Sequence, residues 1–119
     1  MGIARMQATT YKGLVDLIGE KKKVTVGHNT TAEHIGDMVS VRYHGYPIAL
    51  IGMDGSMLID HFGWVTVTTS GRLNQFVRGN HPGARVNIKN GVMVYTSPSG
   101  VKSDVSKGLS IGNDGEVKE

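Results

Sequence analysis

The side chains best suited to meeting a ligand fall between Arg42 and Lys89, and their spacing is that of strands. In Val39-Ser40-Val41-Arg42-Tyr43-His44, alternation places Ser40, Arg42 and His44 on one face if the apolar residues point inward. Read the same way, Trp64, Thr66 and Thr68 lie opposite Val65 and Val67, and Arg85, Asn87 and Lys89 lie opposite Val86 and Ile88. A sheet face carrying cations, hydroxyls and one tryptophan suits single-stranded nucleic acid, with bases on the ring and phosphates on the cations. The plainer reading is that water covers one face of an antiparallel sheet. Thr68-Thr69-Ser70-Gly71-Arg72 offers hydroxyls and an arginine at a helix start, where free N–H groups favour an anion, although an ordinary helix cap uses the same residues. Arg42, His44, Trp64, Thr66, Thr68, Arg72, Arg85 and Lys89 are therefore the candidate binding residues.

Organised bond-making chemistry is harder to find. The five histidines (His28, His34, His44, His61, His81) form no helical His-x-x-x-His pair, and the chain has no cysteine to complete a metal shell. Ser40, His44, Asp60 and His61 are the raw material of a hydrolase, yet no nucleophile-elbow pattern arranges them. Gly52-Met53-Asp54-Gly55 lacks the spacing and lysine of a phosphate-binding loop and reads as a hairpin turn. The expectation is a protein with no catalytic residues, no metal site and no cofactor. His44 is read as a residue whose ring bonds a neighbouring turn. Trp64 is read as a structural residue first, with a stacking platform or interface anchor as the alternative.

These residues need a scaffold, and the apolar pattern supplies one. Tyr11, Leu14, Val15 and Ile18 repeat at helical spacing between a threonine cap (Thr9 or Thr10) and Gly19, predicting a helix over residues 9–19. From Lys23 the period becomes two. Strands are expected at Val24–Val26, Val39–Tyr43, Pro47–Met53, Met57–Asp60, Trp64–Thr68, Arg85–Lys89 and Val92–Thr96, with hairpin turns at Asp54-Gly55 and Asn90-Gly91. Thr69 or Ser70 caps a second, short helix that uses Leu73, Phe76 and Val77 and stops at Gly79 or Asn80. The fold class is α+β, mainly antiparallel β, as a meander sheet or small open barrel with an N-terminal helix and one short inserted helix. One domain is expected over 1–119: an arm at 1–8, a folded core at 9–100, and an edge strand or partly mobile tail at 101–119.

Composition narrows the class. Hydrophobic residues make up 39% and charged residues 19%, an ordinary globular balance, while 17 glycines are about twice the usual share and suit many tight turns. Disulfides and thiolate chemistry are excluded by the absence of cysteine, and no apolar run is long enough to span a bilayer. A cytoplasmic location is expected. The net charge of +3 owes much to Lys21-Lys22-Lys23, read as a solvated turn or strand entry. Met38, Met53, Met57 and Met93 are assigned to the core, with a homo-oligomer interface as the alternative.

One block has a recognisable order. Asn29-Thr30 is followed by Arg42-Tyr43-His44-Gly45, then Asp54-Gly55-Ser56, Gly63-Trp64-Val65-Thr66-Val67-Thr68-Thr69, and Asn74-Gln75-Phe76. This block, residues 29–76, resembles a group of small proteins of tailed bacteriophages, departing from it at Gly45-Tyr46. The resemblance implies a phage origin and carries no activity onto particular residues. Together these readings predict a non-catalytic phage accessory protein that binds and modulates a host or phage macromolecule, foremost a protein, in the cytoplasm of the host during takeover. Single-stranded nucleic-acid binding by the basic sheet face is the first alternative. An oligomeric binder of a small anionic or nucleotide-like ligand is the second.

Overall fold

A computed structural model describes residues 6–118; residues 1–5 of the expected arm and Glu119 of the expected tail lie outside the described residues. Helix α1 (Tyr11–Ile18) begins because the Thr10 hydroxyl accepts the Gly13 N–H at 3.1 Å, and it ends at Gly19, where φ is +54°. Its stripe of Leu14 and Ile18 is fully buried. The strands that follow are β1 (Lys23–Gly27), β2 (Thr30–Ile35), β3 (Met38–Tyr43), β4 (Tyr46–Gly52) and β5 (Met57–Ile59). Helix α2 (Val67–Asn80) comes next, then β6 (Arg85–Lys89), β7 (Val92–Thr96), β8 (Lys102–Asp104) and β9 (Leu109–Ile111).

The strands form two open antiparallel sheets, one ordered β1-β2-β3-β4-β5-β9 and the other β6-β7-β8. The expected α+β class, mainly antiparallel, is what the chain adopts, as open sheets rather than a barrel. In the larger sheet the register aligns Ala32, Val41, Ala49 and Ile59 in one row and Val39, Ile51, Met57 and Ile111 in another. All of these are buried, and they join Leu14, Ile18, Phe76, Val86 and Tyr95 in one contiguous core. Met57 and Met93 belong to it, whereas Met53 is exposed at a turn and Met38 is half-buried.

Strand β2 has no counterpart in the sequence reading. Its inward residues, Thr30 and Ala32, are small, so burial there left no run of large apolar side chains to detect. The expected strand Trp64–Thr68 is not formed. Trp64 and Val65 lie in a loop, and α2 starts at Val67 because the Thr66 hydroxyl accepts the Thr69 N–H at 3.2 Å. The alternation of Val65 and Val67 is accidental: both are exposed. The inserted helix is thus longer than expected, with 14 residues, and Thr69 and Ser70 are buried in its first turns.

Two features of this scaffold make sharp predictions. Gly79 lies under Thr9: a Cβ placed there would stand 2.0 Å from the Thr9 hydroxyl oxygen and 2.6 Å from its Cβ. Asn80 holds the same segment by donating to the Thr9 carbonyl at 2.8 Å. Helix propensity favours alanine over glycine by about 1 kcal/mol, but the overlap dominates. Gly79→Ala should lower stability by about 1–3 kcal/mol, read as a lower urea midpoint at unchanged slope. Tyr95, buried in β7, donates to the Gly115 carbonyl. Burial first, and then Glu116 and Asp114, push its phenol up to about 12. An unfolded tyrosine titrates near pH 10, so Tyr95's contribution to stability is complete below that pH and is lost as pH rises through about 12. Tyr95→Phe should flatten the alkaline unfolding curve in that window.

Candidate aromatic binding site

The site is assembled from two turns and a helix start. Between β3 and β4, His44 and Gly45 take φ of +51° and +84°, a left-handed pair that suits a tight hairpin. The His44 main-chain N–H donates to the Asn29 carbonyl at 2.9 Å, and Arg42 Nη1 donates to the Gly45 carbonyl at 2.9 Å. The turn leaves Tyr43 and Tyr46 paired across the two strands. The His44 ring does not fix the turn as expected; it packs edge-on against Tyr43, with centroids 4.4 Å apart.

The second turn follows β5. Asp60 Oδ1 accepts the Phe62 N–H at 2.8 Å, His61 Nδ1 accepts the Gly63 N–H at 2.9 Å, and the His61 carbonyl accepts the Trp64 N–H at 2.8 Å. This network holds Phe62 at φ +51°, a conformation that costs a non-glycine residue about 1–2 kcal/mol. The strained backbone delivers an exposed ring. Phe62 stands 6.0 Å from Tyr46, and Tyr46 stands 5.8 Å from Trp64, all measured between centroids. The three rings remain 44%, 40% and 49% accessible, so they form one solvent-facing aromatic cluster. Val65 and Val67, the next apolar residues in the chain, are exposed as well. Phe62→Gly should leave stability unchanged or raise it by about 1 kcal/mol, since strain is relieved and only a half-exposed ring is lost. Thermal unfolding of that variant checks it; a clear drop in midpoint would make Phe62 a structural residue.

Beside the cluster lies a cleft of about 330 Å³. Tyr43, Tyr46 and Trp64 form aromatic walls, His44 stands at the turn, and Ile48 adds an apolar surface. The start of α2 closes the cleft with Thr66, Thr68 and Thr69, whose hydroxyls are linked at 3.3 Å (Thr66–Thr68) and 3.0 Å (Thr66–Thr69). A second, more open groove runs over the outer face of the larger sheet, lined by Leu50, Leu58, Phe62, Arg42 and Lys107 among others. Ser40 faces that groove, as alternation predicted, but its neighbours cover it, leaving 3% exposure.

Of the eight candidate residues, the fold gathers His44, Trp64, Thr66 and Thr68 around one cleft. Arg42 points to the adjacent groove. Arg85 and Lys89 are exposed on the edge strand of the smaller sheet, so the expected continuous basic face is divided between two sheets. Arg72 is not at the surface. It is 1% exposed, its Nη2 donates to the His28 carbonyl at 3.2 Å and its Nη1 to Gln75 Oε1 at 2.8 Å. Its guanidinium lies 5.5 Å from the Tyr43 ring centroid, behind the cleft wall. Burial lowers the Arg72 pKa, and Tyr43 opposes that shift. Tyr43, Tyr46 and Phe62 were missed by the sequence reading; the Phe62-Gly63 pair before Trp64 was the available signal of a turn presenting aromatics.

Among the described residues no three His, Asp or Glu side chains are grouped to hold a metal ion, and no helix is long and apolar enough to cross a membrane. Residues 9–112 match the model of Kyanoviridae Gp96 protein, a phage protein family. The chain belongs to the Kyanoviridae Gp96 family. The phage resemblance therefore holds at the level of the family. No curated protein and no solved structure matches this Gp96-family chain.

Proposed function

We propose that this phage protein is a non-catalytic accessory factor that binds and modulates a host or phage protein through the patch of Tyr46, Phe62 and Trp64, in the cytoplasm of the infected cell. The observation that carries this reading is the exposed aromatic cluster, three large rings within about 6 Å of their neighbours on turns outside the core. Interface energy concentrates in such residues: tryptophan and tyrosine are enriched among hot spots, and contiguous exposed apolar patches mark interaction surfaces. Backbone strain at Phe62 supports the reading, because strained residues persist where the strained geometry is used.

Single-stranded nucleic acid would also stack on these rings, but it needs cations alongside them. Arg85 and Lys89 sit on the other sheet, Arg72 is buried behind Tyr43, and Arg42 and Lys107 reach only the Phe62 side of the cluster, in the neighbouring groove and not in the cleft with Trp64. The protein reading fits the charge distribution better. The test is affinity purification from infected-cell lysate, with and without nuclease and across moderate salt. A single protein that co-purifies, resists nuclease and tolerates salt is expected. Capture that disappears on nuclease treatment would sink the proposal in favour of nucleic acid.

A further inference from the structure

We infer that the cleft beside the patch is a socket for one uncharged aromatic side chain of the partner protein, a tyrosine or tryptophan ring. The inference rests on the protein-binding reading and names the partner's anchor.

Size and chemistry both lead there. At about 330 Å³ the cleft lies at the low end of ligand pockets, which run about 300–1,000 Å³. That is room for a single ring system. The walls of Tyr43, Tyr46 and Trp64 give an entering ring aromatic partners on several sides. Among the described residues no aspartate, glutamate, lysine or arginine lines the cleft, although the chain as a whole carries a net charge of +3. A phosphate or carboxylate would find no lysine or arginine among these residues, only the His44 ring, and an ammonium group would find aromatic faces with no acid beside them. What the cleft does offer is hydroxyls. The Thr66 hydroxyl is held by the helix cap, but that of Thr68 can turn to donate or accept, so a phenol O–H or an indole N–H has a partner once inside. A buried tyrosine or tryptophan requires such a partner for its polar end. An uncharged ring with one polar edge matches every wall.

Trp64 is the chain's only tryptophan and stands in the wall, so its fluorescence reports occupancy directly. The probe is N-acetyl-tyrosinamide, titrated while Trp64 is excited where tyrosine does not absorb. N-acetyl-leucinamide and uridine are the comparison arms. Tyrosinamide should give a saturable change with Kd on the order of 1 mM, as expected for a small fragment, and the other two should bind at least tenfold more weakly. Thr68→Phe fills the cleft from an exposed helix position. It should abolish the tyrosinamide response with an unchanged thermal midpoint, and weaken capture of the partner at least tenfold.

Failure separates cleanly from failure of the broader reading. If Trp64→Ala releases the partner but Thr68→Phe holds it as tightly as the parent chain does, the patch stands and the socket falls. Uridine binding more tightly than tyrosinamide would make the occupant a nucleobase and overturn the inference. So would a flat titration with tyrosinamide.

Discussion

Replacing Trp64 by alanine should weaken partner binding by roughly 30-fold, about 2 kcal/mol, while leaving the fold intact. The two halves of that expectation have separate causes. Trp64 lies in the loop before α2, is 49% accessible, and has Tyr46 as its ring neighbour at 5.8 Å. An aromatic pair of this kind contributes about 0.5–1.5 kcal/mol beyond its area, so truncation costs the free protein little. In a complex the same ring would be desolvated on both sides, and central desolvated tryptophans carry more than their share of interface energy. Titration calorimetry with the purified partner gives the affinity, and urea unfolding gives the stability. Trp64→Phe should retain most of the affinity, because area and planarity survive. Unchanged affinity in Trp64→Ala would place the interface elsewhere on the molecule. A loss of stability as large as the loss of affinity would return Trp64 to a structural role.

The sheet was legible wherever backbone chemistry and apolar pattern agreed. Asn90-Gly91 adopts φ of +53° and +76°, a turn that few other residue pairs accept. The apolar run in β4 is buried where the sheet needs a central strand. Thr10 and Gly19 bound α1 as their types require. Misreading began where two local codes overlapped. Trp64-Val65-Thr66-Val67-Thr68 alternates like a strand, yet it holds a threonine three residues before another backbone N–H that needs an acceptor. The cap prevailed because an unmet N–H at a helix start is costly, whereas Val65 and Val67 lose little by staying in water as single exposed residues.

The site was legible in its parts and not in its assembly. Gly63-Trp64 and the threonines were visible as unusual neighbours, and four of the eight candidates do meet around the cleft. Their meeting depends on a contact between Tyr46 and Trp64, on opposite sides of β5 in the chain, which periodicity cannot report. Arg72 failed for a different reason. A charged residue near a helix start is read as solvent-facing, because burial of a guanidinium is rare unless it is satisfied on several sides. The terminal nitrogens of Arg72 bond the β1–β2 turn and its own helix, and its guanidinium faces the Tyr43 ring of β3. None of them is adjacent in sequence.

That environment makes Arg72→Ala the most damaging single change expected here, with a loss of about 3 kcal/mol or more. Truncation strips the His28 carbonyl and the Gln75 side-chain oxygen of one donor each and opens a void beneath Tyr43. Arg72→Lys keeps the charge but cannot bridge His28 and Gln75 with a planar fork, so it should recover only part of the loss. Arg72→Met decides what the guanidinium is for. If it serves stability, methionine should be nearly as harmful as alanine. If burial of the charge roughly cancels its contacts, a similar apolar volume should restore most of the stability. The cleft adds a second readout, because Tyr43 is both its wall and the ring against the guanidinium. We expect methionine to rescue the unfolding midpoint while Tyr43 loses its defined position. Partner affinity would then fall in Arg72→Met without a matching loss of stability. Full affinity in that variant would mean that Tyr43 holds its place unaided, and that Arg72 belongs to the core alone.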